Sequence, residues 1–271
     1  MCLSRRARRW PLVAVLWAVA VPLGAQAADW RAEVEVPFGG SDARWFTAPT
    51  LRGHYGLSQR WRLRTEWGFV GSIQQSQGGN GWSQFESGNL LLAFNARGPK
   101  GGFSWSAGAG LAAPLAELGS EPDRRGRIAF GDASTLQGLW DLWLWAPDRL
   151  GVVAPATVGL KSSWYRVELE GAAGLLVPVR QTIGSGLDGL GQLRLAASLL
   201  ARETAEVGAQ LQGVVLATRP GDQGQVSVAG FARLQVGKVT VGTRVLIPID
   251  APLTSRWSLH LSVSVRGSDG D

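Results

Sequence analysis

The sequence has 271 residues, of which 37 are glycine, 13 are tryptophan and one is cysteine, and its formal net charge is +6. Four of its 27 basic residues lie within the first nine positions, whereas all 21 acidic residues lie beyond position 28, so most of the chain is close to neutral. Basic patches interleaved with base-stacking aromatic residues are absent, which argues against a nucleic-acid partner. The lone Cys2 leaves no basis for disulfides or thiol chemistry.

The first 27 residues have the pattern of a cleaved export signal. A cluster of arginines at positions 5–9 precedes an apolar run at 11–23, and Ala25 and Ala27 supply the small residues of a cleavage site. The apolar run is shorter than the roughly 20 residues that a membrane anchor needs. We therefore predict cleavage after Ala27 and a mature domain that spans residues 28–271.

The mature sequence shows a two-residue alternation of apolar and polar side chains over segments of about ten residues. In one such segment the apolar face holds Trp61, Leu63, Trp67 and Phe69, and the polar face holds Arg62, Arg64 and Glu66. No apolar run is long enough to span a membrane as a helix. Two-faced strands of this kind fit a closed barrel, because hydrocarbon requires every backbone N–H and C=O to be paired within the protein.

Twelve strands are predicted, at 30–38, 44–57, 61–74, 84–97, 103–115, 150–161, 164–179, 186–201, 205–217, 225–236, 239–249 and 256–266. Short turns and longer connections alternate between them, as in membrane barrels with periplasmic turns and external loops. The predicted fold class is all-β, a transmembrane antiparallel up-and-down barrel.

The connection at 116–149 is predicted to be a single external excursion that contains a helix at 134–145. Asp132 or Ser134 would cap this helix and Pro147 would end it. The residues at helical spacing are Leu136, Leu139, Trp140, Trp143 and Leu144. The alternative takes the alternation between Leu136 and Leu144 as a further strand pair and gives fourteen strands.

The export signal, the alternation and the loop rhythm resemble the bacterial outer-membrane β-barrel superfamily, which includes the porins, over essentially all of the mature sequence. Aromatic residues near strand ends match the interfacial girdles of such barrels; they are Trp45, Trp61, Phe103, Tyr165 and Trp257. The resemblance implies an outer-membrane location, contact with outer-membrane lipid and help from the barrel assembly machinery. The last strand departs from the family because it closes on Val265 and Arg266 rather than on an aromatic residue.

No catalytic, metal or cofactor site is predicted. His260 and Ser262 resemble the His-x-Ser pair of outer-membrane lipid A deacylases and phospholipases, which attack lipid at the outer face of the barrel. Here we expect both side chains to face the lumen, because Leu261 takes the lipid side. His54 and His260 lack the spacing of a metal site, and the glycine-rich stretch at 78–81 precedes no helix that would bind phosphate.

The inward positions divide the predicted lumen into two halves. Small or apolar residues, among them Ala112, Gly174, Leu176, Val214 and Leu246, lie toward the outer end. Charged residues gather toward the periplasmic end, in a predicted charge network of Arg31, Glu33, Glu35, Arg62, Arg64, Glu66, Arg166, Glu168, Glu170, Arg194, Glu206 and Arg233. A lumen of about twelve strands is narrower than a wide porin channel and wider than a barrel that side chains alone fill.

These features favour a narrow or gated pore for small solutes, closed by arginine–glutamate pairs and slightly selective for anions. A second hypothesis makes Leu136, Leu139, Trp140, Trp143 and Leu144 a lid that folds into the mouth. The alternative is that this segment packs on the rim or extends the wall. A closed structural or adhesive barrel and a lipid-modifying enzyme are the competing functions.

Overall fold

A computed structural model of the chain describes residues 29–41, 44–74, 81–98, 101–118, 124–180, 186–201, 204–217, 224–250 and 257–267. The predicted leader at 1–27 and its cleavage site lie outside these residues.

The described residues form long antiparallel strands whose bounds follow the alternation in the sequence. They are β1 (Trp30–Ser41), β2 (Arg44–Thr47), β3 (Thr50–Gly56), β4 (Trp61–Gln74), β5 (Trp82–Arg97), β6 (Phe103–Ala113), β7 (Arg149–Lys161), β8 (Tyr165–Pro178), β9 (Asp188–Ala201), β10 (Ala205–Leu216), β11 (Gly224–Val236), β12 (Val239–Pro248) and β13 (Ser258–Gly267). Apart from the break between β2 and β3, each predicted strand boundary lies within about three residues of the observed one.

Pairing between β1 and β13 closes the sheet into a barrel. The two strands are antiparallel and pair from Trp30 with Gly267 to Phe38 with Leu259. The pieces β2 and β3 occupy a single place between β1 and β4, and they are separated at Pro49, which has no N–H to donate to a ladder. The barrel is therefore twelve-stranded, as predicted, and the fourteen-strand alternative is wrong.

The outer surface of the barrel is apolar. Exposed side chains include the predicted girdle residues Trp45, Trp61, Phe103 and Trp257, whereas Tyr165 is half-buried. The alternation breaks at one place: Trp67 pairs with Leu90 but Phe69 pairs with Ser87. This bulge buries both Gly88 and Asn89, and the two-residue alternation of the sequence does not predict it.

Two helices, α1 (Arg124–Leu136) and α2 (Leu142–Trp145), connect β6 to β7 and lie inside the barrel. We call residues 124–148 the plug. It enters and leaves at the end opposite to the chain termini; we call this the loop end, and the end that holds Trp30 and Gly267 the terminal end. Among the described residues, neither helix is long and apolar enough to cross a membrane.

The plug differs from the predicted external excursion in its direction and in its helices. The connection starts and ends at the loop end as expected, but its described part turns inward. The predicted helix at 134–145 is wrong in its bounds, because Leu139 and Asp141 adopt left-handed backbone conformations and separate α1 from α2. Asp132 and Ser134, predicted as caps, lie within α1.

The hydrophobic core of the protein lies inside the barrel, between the plug and the wall. The plug contributes Ala129, Phe130, Ala133, Leu136, Trp143, Leu144 and Trp145, and the wall contributes Phe46, Val70, Leu91, Ala112, Val153, Leu176 and Leu190. Burial of one large apolar side chain contributes about 1.5–3 kcal/mol. The small and apolar outer half of the lumen predicted from the sequence is thus the half that the plug fills.

The orientation of β9 can be tested by placing an arginine on either face of it. Leu195 points outward and Ala196 points inward, opposite Glu168 on β8. Arginine in the middle of a lipid-facing surface costs about 2–4 kcal/mol, so we expect Leu195→Arg to lower the free energy of unfolding by that amount in urea titrations of the bilayer-folded protein. The matched variant Ala196→Arg should lower it by less than about 1 kcal/mol; equal losses would contradict this orientation.

Candidate functional site

Asn89 fixes both roots of the plug to the wall. Its Nδ2 donates to the carbonyl oxygens of Trp143 and Ala146, each at 2.8 Å, and its Oδ1 accepts from the Ala116 N–H at 2.9 Å. Ala116 precedes α1 and Ala146 follows α2, so one amide group holds the chain where it enters and leaves the lumen. The bulge at Gly88 and Asn89 turns this amide inward.

A buried ion pair attaches the middle of α1 to the wall. Asp132 lies 2.8 Å from the Arg44 guanidinium of β2 and accepts a hydrogen bond from Ser72 Oγ of β4 at 3.2 Å. The carboxylate therefore ties the helix to two wall elements.

The C-terminal end of α1 is bound by side chains of β10 and β13. The Leu136 carbonyl accepts from Ser258 Oγ at 2.8 Å and lies 3.1 Å from His260 Nε2. The carbonyl of Gln137 accepts from Gln212 Nε2 at 2.8 Å. The last carbonyls of a helix lack partners within the helix and carry its negative end, so these donors satisfy them.

His260 links this helix end to buried charges. Its Nδ1 lies 2.8 Å from Glu35 Oε1 and 2.7 Å from Arg244 Nη2, and its Nε2 lies 2.9 Å from Ser258 Oγ. The order Ser258, His260, Glu35 has the connectivity of a hydrolase triad. Ser258 Oγ donates its single proton to the Leu136 carbonyl, however, and therefore does not donate it to His260 Nε2. The geometry fits a receptor for the helix end.

The His-x-Ser pair lies as the sequence predicts. His260 is buried inside the barrel, Leu261 is exposed on the outer surface and Ser262 lines the lumen. His260 contacts Ser258, two residues earlier on the inner face of β13, and it faces away from the outer surface of the barrel.

Residues 137–141, which we call the tip, connect the two helices and contact the charged half of the lumen. Asp141 exchanges two hydrogen bonds with Gln192, at 3.0 and 3.2 Å, and its other carboxylate oxygen lies 3.5 Å from Arg52 Nη2. The Trp140 ring lies 3.9 Å from the Arg194 guanidinium, which is a close cation–π contact.

The backbone of the tip is strained. Leu139 and Asp141 have φ values of 62° and 55°, and a left-handed conformation costs a non-glycine residue roughly 1–2 kcal/mol. The side-chain contacts of Trp140 and Asp141 offset this cost, so the tip depends on its receptors in the wall.

Two glycines permit the plug to approach its neighbours. On β4, a Cβ added to Gly68 would overlap the ring of Trp145. In the tip, Gly138 has a φ of +59°, and an added Cβ would lie 2.7 Å from Gln212 Nε2 and 2.8 Å from Ser227 Oγ.

Beside the tip, buried side chains form a set of ion pairs, one of which, Arg64 with Glu170 at 3.8 Å, crosses the lumen between β4 and β8. We call this set the charge belt, which comprises Arg52, Arg64, Arg194, Arg244, Glu35, Glu66 and Glu170. Arg52 is its centre, because it pairs with Glu35 and lies 3.5 Å from Glu66. Further pairs join Arg64 to Glu66 at 2.6 Å, Arg194 to Glu170 at 3.2 Å and Arg244 to Glu35 at 2.6 Å. A buried charge costs several kcal/mol unless it is paired, so the belt is stable only as a set.

The structure brings most of the predicted charge network together. Outside the belt, Arg31 lies 2.6 Å from Glu33, and Glu206 lies 3.8 Å from Arg166 and 3.5 Å from Arg233. Arg62 pairs with Asp29, which was not predicted. Within the described part of the chain, Glu168 makes no ion pair.

Besides Asp29, three participants in the contacts of the belt and the tip were not predicted from the sequence. Arg52 and Arg244 occupy inward positions of their strands, so the alternation alone could have placed them in the network. Asp141 carried no comparable signal, because nothing in the sequence showed how deeply the connection enters the lumen.

The residues of the predicted lid lie together in the plug. Leu136, Trp140, Trp143 and Leu144 are almost fully buried inside the barrel, and Leu139 is half-buried. They come from α1, the tip and α2 rather than from one face of a single helix. Their role as a lid stays a prediction.

Toward the terminal end the lumen opens into a cavity of about 180 Å³, which we call the vestibule. A second cavity of about 90 Å³ shares Arg31, Arg233 and Ser264 with it and reaches Arg52 and His260. The charged vestibule therefore leads to the charge belt and to the receptors of the tip.

At the loop end, the exposed Arg180 after β8 lies beside two carboxylates at the base of the plug. Arg180 lies 2.6 Å from Glu117 and 3.4 Å from Asp148. The hydrogen bond from Arg180 lowers the pKa of Glu117.

Comparison with known proteins shows similarity at the level of structure. Neither a protein-family model nor a curated protein matches the sequence. An outer membrane channel from Pseudomonas putida F1 superposes with a TM-score of 0.60 at 11% identity, over 90% of this chain and 97% of that one. The NanC porin gives 0.54 at 6% identity and the KdgM porin 0.51 at 8%, each over 86% of this chain and 98% of the other.

The fold is that of the outer-membrane β-barrels. Among these barrels, the chain shares its overall architecture with a channel and two porins, at identities that establish the fold alone.

Asn89 offers a test of how the plug is held. In Asn89→Ala, buried backbone groups of the roots lose their partners, at about 1–3 kcal/mol for each group. We expect amide hydrogen exchange in residues 142–148 to become at least about 30-fold faster, as measured by mass spectrometry of the detergent-folded protein.

The matched control is Asn95→Ala. Asn95 lies on the inner face of the same strand, beside Arg62 and Gly108, away from the plug. Exchange in the plug should match that of the wild-type protein; equal acceleration in both variants would show that the effect is not specific to the roots.

Proposed function

We propose that the protein is an outer-membrane pore for small solutes whose passage the plug controls. The observation that carries the proposal is that the plug, a segment between two strands of the same chain, lies in the lumen and is attached to the wall by side-chain hydrogen bonds and ion pairs. In this proposal the mature protein starts after the predicted signal at 1–27 and lies in the outer membrane.

Three features favour a movable plug rather than one that closes the lumen permanently. The tip is strained and depends on contacts that a competing group can replace. Among the described residues, the buried indole N–H groups of Trp143 and Trp145 have no hydrogen-bond partner, which costs about 1–3 kcal/mol each. A charged vestibule also leads from the terminal end to the tip, and a permanently closed structural barrel has no need of it.

The charges of the vestibule favour anions. Its described lining contains five basic side chains, Arg31, Lys161, Arg166, Arg233 and Arg266, and one carboxylate, Glu206. A lumen lined mainly by one sign of charge attracts ions of the other sign.

A disulfide across the tip tests whether the plug must move. Gly138→Cys with Ser227→Cys joins the tip to β11, because a Cβ at Gly138 lies 2.8 Å from Ser227 Oγ. We expect the oxidised double variant to be non-conducting in planar bilayers and reduction to restore wild-type conductance, and the single variant Gly138→Cys should be insensitive to reductant. Full conductance of the oxidised protein would contradict the proposal.

Removal of residues 134–145 tests whether the plug closes the lumen. A short glycine linker in their place should raise conductance several-fold, because the tip and α2 no longer fill the loop half. Heat-modifiable migration on detergent gels reports whether the barrel has folded. A folded deletion variant that conducts no more than the wild type would support the closed structural barrel instead.

The predicted anion preference depends on vestibule charge. Loss of two cations in Arg166→Gln with Arg266→Gln should lower the ratio of chloride to potassium permeability, measured from the reversal potential in a KCl gradient. Lys238→Gln is the control, because Lys238 is basic but does not line the vestibule. Cation selectivity of the wild-type protein would refute the preference.

A further inference from the structure

The cavity of about 90 Å³ borders the side chains that hold the tip. Arg52 and Arg194 line it, together with the amide of Gln210 and the ring of Phe231. Its charged lining consists of Arg31, Arg52, Arg194, Arg233, Arg244, Glu33 and Glu35. Cations outnumber carboxylates, so the cavity favours an anion.

The tip presents two chemical groups to this wall. Asp141 supplies a carboxylate to Arg52 and Gln192, and the adjacent Trp140 supplies a flat aromatic ring to the Arg194 guanidinium. Trp140 and Asp141 are almost fully buried. The wall therefore already binds an aromatic ring next to a carboxylate, both of which belong to the chain itself.

We infer that the cavity binds a small aromatic carboxylate. Its carboxylate replaces Asp141 as a partner of Arg52, its ring replaces Trp140 as the partner of Arg194, and the tip is released. This inference rests on the proposed function, for which it names the class of solute and the event that opens the pore. The ligand reaches the cavity through the vestibule, with which the cavity shares Arg31 and Arg233.

Both groups of the ligand are needed for the exchange. A ligand with a ring but no charge leaves Arg52 Nη2 without the carboxylate oxygen that Asp141 had supplied, and a buried donor without a partner is unfavourable. A ligand with a carboxylate but no ring leaves the face of Arg194 without an aromatic partner. Phe231 supplies a further apolar surface for a ring within the cavity.

Phenylacetate is a suitable probe, with acetate and phenylacetamide as controls that lack the ring and the charge. Binding to the full detergent-folded barrel is measured by equilibrium dialysis of the labelled compounds. We expect phenylacetate to bind at least tenfold more tightly than either control. Equal binding of acetate and phenylacetate would overturn the requirement for a ring, and equal binding of phenylacetamide would overturn the requirement for a charge.

Asp141→Asn tests whether the chain itself competes for the site. The amide keeps the shape of the side chain but removes its charge, so phenylacetate should bind several-fold more tightly than to the wild type. Glu117→Gln, which removes an exposed carboxylate at the loop end, should leave binding unchanged. Unchanged or weaker binding to Asp141→Asn would overturn the inference.

Arg194→Gln should weaken phenylacetate binding at least tenfold. If the charge belt of this variant fails to fold, Gln192→Leu tests the same site without changing a charge, and it is expected to weaken Asp141's attachment and to strengthen binding. Wild-type affinity in both folded variants would overturn the inference.

Conductance separates this inference from the proposed function. Phenylacetate binding in a protein whose deletion variant does not conduct would leave the site intact and reject the pore. Conductance of the deletion variant without phenylacetate binding to the wild type would reject the site and leave the pore intact.

Discussion

Hydrocarbon offers no hydrogen-bond partner to a peptide group, and the rest of this structure depends on that constraint. The strands satisfy their backbone by pairing with chain neighbours and, through β1 and β13, by closing on themselves. A ring of twelve strands leaves a lumen that its own inward side chains do not fill. The protein fills one half with a folded segment of its own chain and the other half with paired charges and two cavities.

The two halves of the lumen are held by different forces. Apolar packing of tryptophan and leucine side chains stabilises the plug within the loop half, whereas individual hydrogen bonds from Asn89, Gln192 and Ser258 fix its position. Ion pairs hold the charge belt together, and Arg52 joins it to the tip. The position of the tip is therefore coupled to the electrostatics of the belt.

Strand positions could be predicted from the sequence because the two-residue period is a direct consequence of a wall with one apolar and one polar face. The same rule failed at Gly88 and Asn89, where a bulge places two consecutive residues inside. The alternation also did not predict that the plug turns inward, because its direction depends on contacts between segments far apart in the chain, such as Gly68 with Trp145. The alternation predicted which charged side chains face the lumen. It did not predict which of them form pairs, because pairing depends on distances between strands far apart in the chain.

The contacts of Leu136 affect the closure of the barrel. The carbonyl of Leu136 is bound by Ser258 and His260 of the last strand, and its side chain lies against Gly39 of the first. The plug thus contacts both strands at the place where β1 and β13 close the barrel. Docking of the plug and pairing of β1 with β13 therefore stabilise each other, so a change that weakens the contacts of Leu136 also exposes two strand edges to opening.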